Sequence, residues 1–109
     1  MSSLPEISSI EELDCTISST PLLLMYFYAD WCTPCNLLSP SIDKLSEDFS
    51  EVKFVKVNVE LMKDIKAKYE IGVIPACIVL SQGEKVYTFY GSCFETLKDE
   101  LSKIRHIHS

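Results

Sequence analysis

The chain has 109 residues, near the common size of one domain, and its 47% hydrophobic and 24% charged composition excludes a disordered or fibrous protein. Ten basic against sixteen acidic residues leave a net charge of −6, which repels phosphate backbones and anionic lipid and argues against nucleic-acid or membrane-surface binding. The five cysteines are an odd number, so at least one thiol stays free in a monomer.

Residues 4–7 read as a short strand, stopped by Ser8 and Ser9. Ser9-Ile10-Glu11-Glu12 fits a capping box and predicts a helix to about Ser18. Residues 22–28 are continuously apolar, as expected of a central strand covered on both faces. A helix follows over 34–49, where Leu38, Ile42, Leu45 and Phe49 share one face. Pro34 suits its first turn, whereas Pro40 lies inside and should bend it. Residues 53–59 are β-rich, and the intervening helix makes a strand–helix–strand unit with parallel strands. Leu61, Ile65 and Tyr69 predict a shorter helix. Residues 76–80 and 85–90 then read as strands joined through Ser81-Gln82-Gly83-Glu84 in a tight hairpin. Ser92-Cys93-Phe94-Glu95 offers a second capping box, opening a last helix with Phe94, Leu97, Leu101 and Ile104 inside. The order β-α-β-α-β-α-β-β-α is an α/β protein with a mixed sheet and helices on both sides. No repeat, low-complexity tract or compositional shift divides it, so residues 1–109 should form one domain.

Cys32-Thr33-Pro34-Cys35 falls where the central strand ends and a helix begins. The nucleophile of thiol–disulfide exchange is the thiolate, and a helix N-terminus favours negative charge there. Two intervening residues bring both sulfurs onto one turn, so a mixed disulfide on the first can be resolved by the second. Cys32, nearer the end, should attack, and Cys35, beneath it, should resolve. A zinc site would need a second close pair of ligands, which Cys77 and Cys93 do not make, so no metal is expected. Trp31 offers a flat surface beside the nucleophile, suited to shielding the disulfide and contacting substrate. Cys15 and Cys77 read as inert packing, while Cys93 is open to intermolecular crosslinking.

The opening Met1-Ser2-Ser3-Leu4-Pro5-Glu6 lacks the basic start and apolar core of a secretory signal, and the run 22–28 is too short to cross a bilayer. A reducing cytosol is therefore the expected compartment.

The segment Tyr26-Phe27-Tyr28-Ala29-Asp30-Trp31-Cys32-Thr33-Pro34-Cys35 resembles the active-site segment of the thioredoxin family, whose usual form is Trp-Cys-Gly-Pro-Cys. Pro40 is similar to that family's helix-kink proline, Lys56 to its strand lysine and Gly83 to its hairpin glycine. Ile74-Pro75 looks like its cis Ile-Pro, and Gly91 like the glycine closing its substrate groove. The resemblance implies a thioredoxin fold, with a five-stranded mixed sheet flanked by four helices. It also implies a protein-disulfide reductase using Cys32 and Cys35, with Trp31, Ile74, Pro75, Gly91 and Ser92 lining the groove. Such a protein binds no cofactor, takes electrons from NADPH through a thioredoxin reductase, and acts on disulfide-containing proteins as a cytoplasmic monomer. Rival readings are an oxidase or isomerase of an oxidising compartment, and a binding subunit that uses the groove without turnover. Two departures bear on the site. Thr33 replaces the glycine between the cysteines. Tyr26 stands at the family's buried aspartate, where a phenol cannot serve as a base near neutral pH, so Lys56 should lose its carboxylate partner and either have a lowered pKa or lean toward a thiolate.

Overall fold

The computed structural model describes residues 3–108. Its elements are α1 (Ile10–Ser19), β1 (Leu22–Tyr28), α2 (Thr33–Asp48), β2 (Lys53–Asn58), α3 (Lys63–Lys68), β3 (Ala76–Ser81), β4 (Glu84–Tyr90) and α4 (Phe94–His108). Among the described residues the sheet has four strands in the order β2-β1-β3-β4. β1 runs parallel to β2 and antiparallel to β3, and β4 is antiparallel to β3. No helix among these residues is long and apolar enough to cross a membrane.

The expected first strand is a correction: the sheet has four strands, not five. Residues 4–7 contribute only one parallel bridge, Glu6 opposite Lys56, on the free edge of β2. The Ile7 amide donates to the Lys56 carbonyl at 3.0 Å and the Lys56 amide to the Pro5 carbonyl at 2.9 Å. The ladder cannot lengthen in either direction. Pro5 has no amide to donate, and beyond Ile7 the next amide that strand alternation would turn toward β2 belongs to Ser9, the N-cap of α1, where the Ser8 amide also meets the Glu12 carboxylate at 2.6 Å. That contact belongs to the α1 cap, where Ser9 Oγ accepts the Glu12 amide at 3.0 Å.

All seven residues of β1 are buried, as its unbroken apolar run requires. Burying side chains of this size contributes about 1.5–3 kcal/mol each. The strand's alternation sends neighbouring rings to opposite layers. Tyr26 reaches α2 through its hydroxyl, while Phe27 meets Tyr69, at the end of α3, with ring centroids 6.2 Å apart. α4 packs beside α2, and an Asp14–Lys68 ion pair links α1 to α3. Helices therefore cover both faces. α2 runs unbroken through Pro40 and buries Leu38, Ile42 and Leu45. The β3–β4 turn has positive φ at both Gln82 and Gly83, the backbone of a two-residue hairpin turn matched to strand twist.

The starts of α3 and α4 differ from the sequence reading for reasons the local bonds show. α3 begins at Lys63, leaving Leu61 outside the helix and 67% exposed. The reason is Asn58: its side-chain oxygen accepts the Glu60 and Leu61 amides at 2.9 and 3.3 Å, so the chain makes an Asx turn first. α4 begins at Phe94, so Cys93 rather than Ser92 takes the cap position. The Cys93 sulfur lies 3.2 Å from Thr96 Oγ1.

Candidate active site

β1 ends at Tyr28, and a turn through Asp30 and Trp31 delivers Cys32 to the head of α2. The Cys32 amide donates to the Ala29 carbonyl at 3.2 Å, closing that turn. Cys32 is the N-cap of α2: its backbone is extended and its sulfur accepts the Cys35 amide at 3.2 Å. A sulfur here receives amide hydrogens that the helix leaves unpaired, and the macrodipole favours its negative charge. Thr33 and the adjoining Pro34 open the helix, both exposed. Cys32 and Cys35 form a disulfide with their Cα atoms 5.2 Å apart. Cys32 is 3% exposed and Cys35 fully covered, so the outer sulfur of the pair is that of Cys32.

Trp31 stands 66% exposed beside the disulfide. The Ile74–Pro75 peptide is cis. Pro75 leads into β3 and Gly91 leaves β4, and the Gly91 amide donates to the Pro75 carbonyl at 3.0 Å. Gly91 has φ of +99°, a conformation that an L side chain resists, although open space surrounds it. Ser92 is exposed next to it. Trp31 and Ile74 border a groove of about 670 Å³, but its remaining lining is Val59, Glu60, Lys63, Lys66, Ala67, Glu70, Ile71 and Gly72. Pro75, Gly91 and Ser92 are not part of that lining. The concavity thus extends along α3, which the sequence reading missed. The exposed Lys63 and Lys66, three apart on α3, were the available signal.

Beneath the disulfide, Tyr26 is fully buried and its hydroxyl donates to the Cys35 carbonyl at 2.8 Å. Ser39 Oγ donates to the same carbonyl at 2.9 Å and lies 3.0 Å from the Tyr26 hydroxyl. Burial pushes the Tyr26 phenol up to about 12, so it stays neutral. Ser39 was also missed. Its position four residues after Cys35, on a helix face otherwise filled by Leu38, Ile42 and Leu45, marks it as an inward hydroxyl.

The expectation that Lys56 lacks a carboxylate partner is overturned. Its ammonium lies 3.9 Å from the Glu6 carboxylate and 5.6 Å from the Tyr28 ring centroid. The Tyr28 hydroxyl donates to the same Glu6 oxygen at 2.7 Å. A carboxylate for this lysine therefore exists, carried by the N-terminal segment rather than by β1. Strand pairing explains it, because the Glu6 bridge lies directly against Lys56.

Of the other cysteines, Cys77 is buried opposite Tyr26 on β3, and desolvation pushes its thiol far up. Cys15 is exposed, contrary to the expected packing role, because it lies on the outer side of α1, where Leu13 faces inward. Cys93 is exposed, and the hydroxyl and amide of Thr96 hold its thiol below the usual range. Among the described residues, no three His, Cys, Asp or Glu side chains group to hold a metal ion.

The thioredoxin family profile matches residues 6–103. A thioredoxin of Mycoplasma genitalium is 40% identical over 78 residues, which cover 72% of this chain and 76% of that protein. Thioredoxin-1 of Saccharomyces cerevisiae is 28% identical over 97 residues, covering 89% of this chain and 94% of that one. The crystal structure of thioredoxin from Trypanosoma brucei brucei shares the fold with a TM-score of 0.90 at 26% identity, over 95% of this chain and 92% of that chain. With sequence and fold agreeing over nearly the whole length, this chain belongs to the thioredoxin family and is a protein-disulfide reductase.

Proposed function

We propose that Cys32 and Cys35 perform this reduction in two steps, on disulfide-containing proteins held across Trp31, Ile74, Pro75, Gly91 and Ser92. The observation that carries the reading is the capped sulfur of Cys32, joined to Cys35 on the first turn of α2. In the reduced protein the Cys32 thiolate attacks a substrate disulfide. One substrate sulfur leaves as a thiolate and the other is bound to Cys32. The Cys35 thiolate then attacks the Cys32 sulfur, the second substrate sulfur leaves, and the Cys32–Cys35 disulfide remains. Two electrons pass to the substrate. An extended peptide laid across Ile74 would add as a strand beside Pro75.

Regeneration returns two electrons to the disulfide, and the family points to NADPH through a thioredoxin reductase as their source, with no cofactor bound to this chain. The exposed thiols Cys15 and Cys93 suit a reducing compartment, which supports the cytoplasm. The net charge of −6 opposes self-association and supports a monomer.

Trapping tests the assignment. Cys35→Ser should attack substrate and accumulate the mixed disulfide, while Cys32→Ser should form none at the motif. The converse pattern, read by mass spectrometry of the adducts, would reverse the two roles.

A further inference from the structure

The resolving step needs Cys35 in line with the bond between Cys32 and substrate, and the residue beneath it is a phenol. We propose that Tyr26 and Ser39 are positioning residues for that step, two buried hydroxyls that clamp the Cys35 carbonyl and thereby set where its sulfur stands. The proposal rests on the disulfide-reductase reading and adds two side chains to it.

The geometry is a closed triangle. Tyr26 and Ser39 each approach the Cys35 carbonyl, at 2.8 and 2.9 Å, and each other at 3.0 Å. Both residues are buried, so no water competes for these bonds. The tyrosine cannot swing away. Its ring stacks on Tyr28 with centroids 5.9 Å apart and planes 18° from parallel, and Tyr28 is itself tied to Glu6. The helix needs such help here because Pro40 supplies no amide to the Asn36 carbonyl, leaving the first turns of α2 short of one bond. With the Cys35 backbone held, rotation about its Cα–Cβ bond is the main freedom left to the sulfur. A near-attack geometry is thus prepared before substrate arrives.

The clamp handles no proton. The Tyr26 hydroxyl stays protonated, because burial holds it far above neutral pH. In the step itself the Cys35 thiol gives its proton to water or to the departing substrate thiolate. Its sulfur then bonds to Cys32, and the substrate sulfur leaves with the electron pair.

The test is stopped-flow reaction of the reduced protein with dithiobis(nitrobenzoate), in a Cys15→Ser, Cys93→Ser background that silences the exposed thiols. Attack by Cys32 releases a first thionitrobenzoate, and resolution by Cys35 releases a second. Tyr26→Phe, which keeps the ring, should preserve the first phase and slow the second about ten-fold at every pH, the cost of one buried bond that aligns a reacting atom. Ser39→Ala should act in the same direction, and Ser39→Thr, which keeps the hydroxyl, should restore the rate. A wild-type second phase in either Tyr26→Phe or Ser39→Ala overturns the clamp. So does equal slowing of both phases, which would be general damage, or an altered shape of the pH profile, which would make the phenol a proton carrier. If Tyr26→Phe does not fold, the Ser39 pair decides. Absence of any first phase in the background protein would instead strike at the reductase reading.

Discussion

At position 26 the central strand carries a ring that packs like any core aromatic, yet its hydroxyl is spent on the backbone of Cys35. From sequence, this residue could be seen to lack a carboxylate's chemistry, since that follows from the side chain alone. The acceptor it finds could not be seen, because it depends on how α2 lies over β1. Lys56 repeats the lesson: its partner, Glu6, is fifty positions away in the chain and meets it through a single bridge. Ile74, by contrast, was legible as a groove residue, and it lines the cavity together with Trp31. Replacing Ile74 with Asp should weaken capture of a peptide disulfide about ten-fold, the value of one lost apolar contact. Exchange with a small disulfide reagent needs no such surface and should change far less. Parallel kinetics with the two substrates check this, and equal losses would place the damage at the thiolate.

The helices were the most legible elements, since caps and apolar stripes are properties of residues three or four apart. Their ends were not, because competing local bonds decide them. The Asn58 turn holds Leu61 out of α3, and the Cys93 sulfur displaces Ser92 as the cap of α4. One tie between elements is also invisible to periodicity. Arg105 of α4 reaches Glu51 at 2.7 Å, the Asp48 carbonyl at 3.2 Å and the Phe49 ring at 4.0 Å, joining α4 to the end of α2. The bond from Arg105 holds the Glu51 carboxyl below its usual range. A carboxyl whose ionisation is easier when folded stabilises the protein at neutral pH, and that contribution is lost as pH falls through its titration. Arg105→Ala should therefore lower the Tm at neutral pH, and by less in acid, where only the contacts with Phe49 and Asp48 remain to be lost. Thermal melts of both proteins at the two pH values check it. An equal shift at both would assign the whole effect to packing.

At the scale of the molecule, β1 and β3 form a sheet interior covered on both faces, and Cys77 lies within it. Its thiol should react with iodoacetamide only when the sheet opens globally. Cys93, exposed and favoured as thiolate by Thr96, should react in the native protein. Peptide mapping over a time course should show Cys93 modified early, Cys77 only in denaturant, and Cys93 slowed by Thr96→Ala. Modification of Cys77 as fast as Cys93 in buffer would contradict the buried sheet. The edge of that sheet is where the expected five strands became four. A short apolar segment looks like a strand by composition, but ladder length depends on how many amides can pair, and Pro5 and the cap of α1 at Ser9 leave only one bridge.

By itself the sequence determined what depends on near neighbours. The order of elements, the all-apolar central strand, the hairpin turn and the placing of Cys32 and Cys35 on one helical turn all rest on spacings of two to four residues. Tertiary structure alone decided what faces what across those elements. It put Ser39 beside Tyr26 under the Cys35 carbonyl, Glu6 against Lys56, and the flank of α3 along the groove. The physical reason is that strand register and helix docking are settled by burial summed over the whole core, so contacts between distant residues follow from packing that no local window contains.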